Sequence, residues 1–137
     1  MRSKKQRTRV ARQRLRTARE QWSQAAVHSW EPADPAECIT KSFYSFENAL
    51  SAALIATGRK ETTRHYEKAD LAAKLVADGI LNTNIRKRLV ELNDLRKDVQ
   101  YGEPGAQLAN TDLDDVVSEL EAFLDEVESV IDDIEGK

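Results

Sequence analysis

Arg96 and Tyr101 are the residues of this chain whose types and spacing best suit work on a phosphate. They lie in Leu92-Asn93-Asp94-Leu95-Arg96-Lys97-Asp98-Val99-Gln100-Tyr101-Gly102, which reads as the last turns of an amphipathic helix. Leu92, Leu95 and Val99 recur at i, i+3 and i+7 on one apolar face, and Gly102 supplies a left-handed stop. Arg96 sits at the edge of that face, where a long cation either snorkels outward or meets a partner in a groove. Tyr101 follows five residues on, so the two polar heads converge near the helix end. A guanidinium there can grip a phosphate or a developing oxyanion with paired hydrogen bonds and a fixed charge. A salt bridge from Arg96 to Glu47 or Asp98 that only ties helices together explains the same residue. Tyrosine, with a pKa of about 10, is a poor general base at neutral pH. It can still hydrogen-bond a phosphate or stack on a base.

Other polar residues invite the same two-sided reading. His65 falls near the start of a helix and can approach Arg96 as a proton carrier; a solvent-facing helix-start histidine is the plainer account. Glu47 and Asn48 are polar residues beside a bulky apolar stripe, and no apolar partner explains either. Asn93 and Asp94 either line the groove of Arg96 or face water. His28 reads as a helix-end residue interacting with the dipole. The single cysteine, Cys38, has no disulfide partner and no metal-ligand companions nearby, so it reads as an inert packed thiol in a reducing compartment. The chain has no phosphate-cradling glycine loop, no Cys or His cluster with metal spacing and no Gly-flanked nucleophilic Ser. No metal site and no cofactor are expected.

The elements that must position these groups are helices. A chain of 137 residues with only three prolines and five glycines, its apolar content mostly Ala, Leu and Val, suits one close-packed all-α bundle. Residues 1–8 are basic and lack apolar periodicity, so they read as a flexible arm before a single helical domain over residues 9–135. The first helix runs from about Thr8 to His28, with Ala11, Leu15, Ala18, Trp22 and Ala25 inward. Arg9, Arg12, Arg16 and Arg19 form a second stripe along it. Asp34, Pro35 and Glu37 are placed as N-cap, first residue and capping-box residue of a second, central helix. That helix carries Ile39, Phe43, Phe46, Leu50, Ala53 and Leu54 and ends at Gly58. A third helix is expected from about Thr63 to Asp78, stopped by Gly79. A fourth, from Ile85 to Tyr101, follows the capping cluster Asn82-Thr83-Asn84. Thr111 reads as the cap of a last helix whose apolar stripe, from Leu113 to Ile134, is broad enough to pack across two neighbours.

Charge is segregated along this plan. Residues 1–20 hold nine Lys or Arg against Glu20 alone, and residues 111–137 hold eleven Asp or Glu against Lys137 alone. Either the basic end touches nucleic acid, with the four arginines tracking a backbone, or the two ends neutralise one another within the bundle or across a dimer.

The opening stretch resembles the signature of the HEPN superfamily of small helical bundles: Arg, four to six residues, then His. The likeness extends to Phe43-Tyr44-Ser45-Phe46-Glu47-Asn48-Ala49-Leu50, to the Gly58 break, to Thr63-Arg64-His65 and to Leu95-Arg96 before Tyr101-Gly102, covering roughly residues 8–103. One departure stands out. Tyr101 occupies the position where the family's nucleases carry His. The resemblance implies a HEPN-like bundle of about five helices and a two-fold homodimer with its site between protomers. It further implies metal-independent RNA cleavage by the 2′-hydroxyl in the active members, with Arg96 steadying the phosphate. It makes Glu47 the candidate carboxylate that orients the motif arginine, and His65 a stand-in for the missing histidine. Lacking that histidine, the chain is expected to be a nuclease-degenerate RNA- or nucleotide-binding and partner-binding module of a toxin–antitoxin or phage-defence system. Such a module can pair with a nucleotidyltransferase-type protein. The rivals are an active metal-independent endoribonuclease and a structural assembly protein whose acidic helix docks a basic partner. No apolar run approaches membrane-spanning length and no secretion signal is evident, so a cytoplasmic setting is expected.

Overall fold

The computed structural model describes residues 2–30, 34–100, 108 and 110–137, with Gln100 described by its backbone alone. Five helices fill these segments: α1 (Lys4–Val27), α2 (Pro35–Ala56), α3 (His65–Ala77), α4 (Arg86–Gln100) and α5 (Leu113–Glu135). No strand occurs among the described residues.

Side-chain caps set most of the helix ends. Asp34 accepts the amide of Glu37 at 3.2 Å ahead of Pro35, and α2 closes into Gly58 at φ +74°. Gly79, at φ +76°, likewise follows the end of α3. The Asn84 side chain accepts the Arg86 amide at 3.0 Å and supports the first turn of α4. Two starts differ from the sequence reading. Ser3 and Gln6 form a reciprocal capping box, so α1 begins at Lys4, inside the stretch read as a flexible arm. Apolar periodicity is absent there, but the cap supplies the nucleus and Thr8 and Ala11 are already buried. On α5 the cap is Asp112, which accepts the Asp115 amide at 3.2 Å, and not Thr111.

The core is built around α2, which packs against all four other helices. Phe43, Phe46, Leu50 and Leu54 are buried, together with a run of small residues. Those small residues let α1 lie very close. Ala11, Ala18 and Ala25 have no exposed surface, and Ser45 donates its hydroxyl to the Ala18 carbonyl at 2.6 Å. α5 runs along both α1 and α2. Its Phe123 ring meets Phe46 at 5.8 Å, and the Trp22 indole of α1 donates to the Val117 carbonyl at 3.1 Å. Val116, Leu120, Leu124, Val127 and Ile131 complete the buried face, which spans two neighbours as its width predicts. That width is therefore consumed within the chain and supplies no argument for a second copy.

Antiparallel pairing of α1 and α5 also brings the charged ends together. Arg12 is held by Asp132 and Glu135, and Arg19 by Asp125 and Glu128 at 3.0 and 3.3 Å. On the far side of α2 sit α3 and α4, joined to each other by Arg86–Asp70 at 3.1 Å. Arg88 meets Glu119 at 2.9 Å, and the amides of Asn82 and Thr83 meet the Glu126 carboxylate, so α4 lies antiparallel to α5. Among the described residues no helix is long and apolar enough to cross a membrane.

Candidate functional site

The polar residues of α2 that escape the apolar stripe are collected where α3 and α4 cover it. Phe43, Tyr44 and Glu47 fall within one turn of α2, His65 and Lys68 at i and i+3 on α3, Asn93 and Arg96 at i and i+3 on α4. The Phe43 ring, almost wholly buried, stands between the two charged ends of the cluster. The Arg96 guanidinium carbon lies 5.1 Å from its centroid, and the His65 ring meets it edge-on at 5.2 Å.

Arg96 is held by weak neutral contacts and by aromatic faces. One terminal nitrogen donates to Asn93 Oδ1 at 2.9 Å; the other donates to the Tyr44 hydroxyl at 3.4 Å. The guanidinium also lies 5.7 Å from the Tyr44 ring centroid. Its Nε is buried without a hydrogen-bond partner among the described residues. Arginine brings five N–H donors, and among the described residues these contacts take up part of that capacity while no carboxylate meets the charge. Aromatic faces stabilise a desolvated cation, but they do not neutralise it. The sequence offered Glu47 or Asp98 as a carboxylate for Arg96. Among the described residues neither pairs with it.

Glu47 points the other way. Its side chain is 5% exposed, and its two oxygens take His65 Nδ1 at 2.6 Å and Lys68 Nζ at 3.4 Å. The carboxylate expected to orient the arginine orients the histidine instead. The reason is register: at the start of α3, His65 reaches down onto α2 one turn beyond Phe43, and Lys68 stacks behind it on the same face. A carboxylate only accepts, so His65 Nδ1 donates to it. His65 is thus neither a plain surface residue nor a partner of Arg96; it is a half-exposed imidazole fixed by a buried acid.

The remaining candidates are dispersed. Asn93 belongs to the cluster. Asn48 does not, since its amide donates to Gln21 Oε1 at 2.8 Å on the α1 side of α2. Tyr101 and the Gly102 stop lie outside the described residues. Arg9 and Arg16 are exposed on α1, whereas Arg12 and Arg19 are tied to α5, so the four do not form one free stripe. The pKa of Arg12 is raised further by its bonds to Glu135 and Asp132. The sequence reading did not single out Phe43, Tyr44 or Lys68 as site residues. Phe43 reads as core in the sequence and Tyr44 is given no role there, and the signal was the turn they share with Glu47. No His, Cys, Asp or Glu cluster suited to a metal ion occurs among the described residues.

The family model for the HEPN domain matches residues 11–135. No curated protein and no solved structure matches the chain.

Proposed function

Because the chain belongs to the HEPN domain family, we propose that it is an RNA- or nucleotide-phosphate-binding and partner-binding module with weak or no nuclease activity. The observation that carries this reading is the unmatched Arg96 guanidinium, propped on Phe43 and Tyr44 with no carboxylate partner among the described residues. A structural arginine would be expected to find an acid; this one meets none among the described residues, which leaves its charge to an anion. The family context supports service in a toxin–antitoxin or defence-type system in the cytoplasm, as a homodimer and beside a nucleotidyltransferase-type protein. Light scattering on the purified chain tests the dimer; a monomer mass at micromolar concentration rejects it.

The binding test uses a labelled single-stranded oligoribonucleotide. Losing a charge-assisted contact corresponds to roughly a 10- to 100-fold loss of affinity, so Arg96→Ala is expected to weaken binding by that order while helicity is retained. Unchanged affinity rejects Arg96 as the anchor.

One observation favours a second reading, a metal-independent endoribonuclease. The Glu47–His65 pair is an acid–base group that shares the Phe43 ring with the arginine. A missing general acid or base costs about 10²–10⁴ in rate, and the sequence has Tyr101 where the active members have His. Little or no cleavage in EDTA is therefore expected. Cleavage by the natural chain, abolished in Arg96→Ala and in His65→Phe, would replace the binding reading with the ribonuclease one.

A further inference from the structure

The end of the bundle where α1 begins and α2 stops gathers a second group of cations. Arg2, Arg7, Arg59 and Lys60 line a cavity of about 330 Å³ there, together with Gly58 and Ile55. Along α2 this end stands roughly 20 Å from Phe43, at a rise of about 1.5 Å per residue, so it is separate from the Arg96 cluster. Glu61, the one acid on the lining, meets Arg14 at 3.5 Å, and Arg59 is matched by Asp78 at 2.6 Å. Arg2, Arg7 and Lys60 meet no carboxylate among the described residues.

Arg7 is fixed in place by its surroundings. Its side chain lies over Gly58, which holds φ +74°; a Cβ there would stand 3.6 Å from Nε and 3.8 Å from Cζ. One terminal nitrogen donates to the Arg2 carbonyl at 3.2 Å, and Nε is buried without a hydrogen-bond partner among the described residues. A cation at the C-terminal end of a helix answers the dipole, and that accounts for Arg7. It does not account for Arg2 and Lys60 beside it, because a helix end carries only about half a unit charge. Like charges gathered around one cavity repel unless an anion lies between them.

The chemistry of the lining says which anion fits. Guanidinium forks suit phosphate oxygens, and three unmatched cations suit a compact ligand with several negative charges. The volume lies at the lower end of small-molecule sites, about 300–1,000 Å³. No aromatic side chain lines it, so a nucleobase finds no face to stack on. We infer that the cavity between the start of α1 and the end of α2 binds a small oligophosphate through its phosphate groups alone. Arg7 is the fixed anchor, and Arg2 and Lys60 supply the remaining charge. A free inorganic oligophosphate and the tail of a nucleoside triphosphate share this chemistry.

Isothermal titration calorimetry of the full chain with inorganic triphosphate tests the site, with adenosine and guanosine triphosphates as the second source. Similar affinity for all three is expected and admits the tail of any nucleotide; binding of inorganic triphosphate alone assigns the free oligophosphate. A nucleotide that binds much more tightly than inorganic triphosphate overturns the inference, because its base is then being read. Arg2 and Lys60 are exposed, so Arg2→Gln with Lys60→Gln should fold normally and weaken triphosphate binding at least about tenfold. Arg7→Gln, checked for retained helicity, should do as much. Arg9→Gln with Arg16→Gln removes two exposed cations elsewhere on α1 and should matter little. An equal loss in the two double variants means diffuse attraction to a basic surface, and the inference fails; it fails also if the natural chain does not bind triphosphate. Arg96→Ala should bind triphosphate as the natural chain does. Loss of binding there places the ligand on the Arg96 cluster, which overturns this inference and leaves the phosphate reading of that cluster standing. If triphosphate is not bound but Arg2→Gln with Lys60→Gln weakens oligoribonucleotide binding, the cavity serves an RNA strand and not a small oligophosphate.

Discussion

At the scale of single residues the clearest pH-dependent group is Cys38. It has no exposed surface, and burial pushes its thiol up to about 11 from an ordinary 9.0, the nearby Ser42 hydroxyl opposing only part of that. A neutral buried thiol keeps its proton where the unfolded chain has already released one. Its contribution to stability is complete below about pH 9.0 and drains away as pH rises toward 11. A disulfide reagent is therefore expected to modify Cys38 at neutral pH only at the rate of unfolding. Across that alkaline window the natural chain should lose more stability than Cys38→Ala in denaturant titrations; immediate modification at neutral pH would contradict the assignment. Arg96 yields a second residue-scale prediction. Arg96→Lys keeps the charge but loses the planar contact with Phe43 and Tyr44 and the paired donors, so phosphate affinity should fall nearly as far as in Arg96→Ala. Full retention would mean that charge alone suffices. Arg96, His65, Glu47 and Asn93 stand out in the sequence largely through the resemblance to the family signature. Their pairing was not legible there. Periodicity places Glu47 beside the apolar stripe of α2, but only the register of α3 against α2 decides that it faces His65 and Lys68 and not Arg96. The same limit hid Tyr44, whose hydroxyl lies 3.4 Å and whose ring centroid lies 5.7 Å from the Arg96 guanidinium.

At the scale of helices the sequence was more transparent, because caps and apolar spacing are local signals. Asp34-Pro35 and the glycines at 58 and 79 mark ends that the structure places within a residue or two. The first helix start was missed because its capping box uses Gln6 and precedes any apolar repeat. The closeness of α1 and α2 was also hard to foresee. A stripe of Ala11, Ala18 and Ala25 states that a neighbour can approach, without saying which one. The interface now predicts a contrast. Ala18 has no exposed surface and its carbonyl takes the Ser45 hydroxyl, so Ala18→Leu must force the helices apart. Overpacking of this kind costs about 1–3 kcal/mol. Gly79 is the opposite case: a Cβ there meets nothing within 4 Å, so Gly79→Ala pays only the left-handed strain, about 1 kcal/mol. Equilibrium denaturation of both variants checks the order. A larger loss in Gly79→Ala than in Ala18→Leu would mean that α1 and α2 are less tightly packed than the buried alanines imply.

At the scale of the whole molecule the segregated charges become a question of which cations remain available. Nine basic residues near the start of the chain suggested a nucleic-acid face, but α5 lies antiparallel along α1 and takes Arg12 and Arg19 into ion pairs. These pairs are partly exposed, so they cancel local charge more than they stabilise the fold. The acidic outer side of α5 then repels a polyanion along that flank, while the cluster of Arg96, Lys68 and His65 sits on the opposite side of α2, covered by α3 and α4. An RNA strand that binds there meets few free cations. Counterion release makes the slope of log affinity against log salt about −0.7 per phosphate neutralised on a single strand. A shallow slope is therefore expected, well short of what four arginines on α1 would add to the site. Converting Arg12 and Arg19 to Gln should leave that slope nearly unchanged, because both are already matched by carboxylates. Converting Arg96 to Gln should flatten it by about one such increment. If Arg9→Gln with Arg16→Gln flattens the slope more than Arg96→Gln does, the strand follows the exposed cations of α1, and the cluster between α2, α3 and α4 is not where RNA binds.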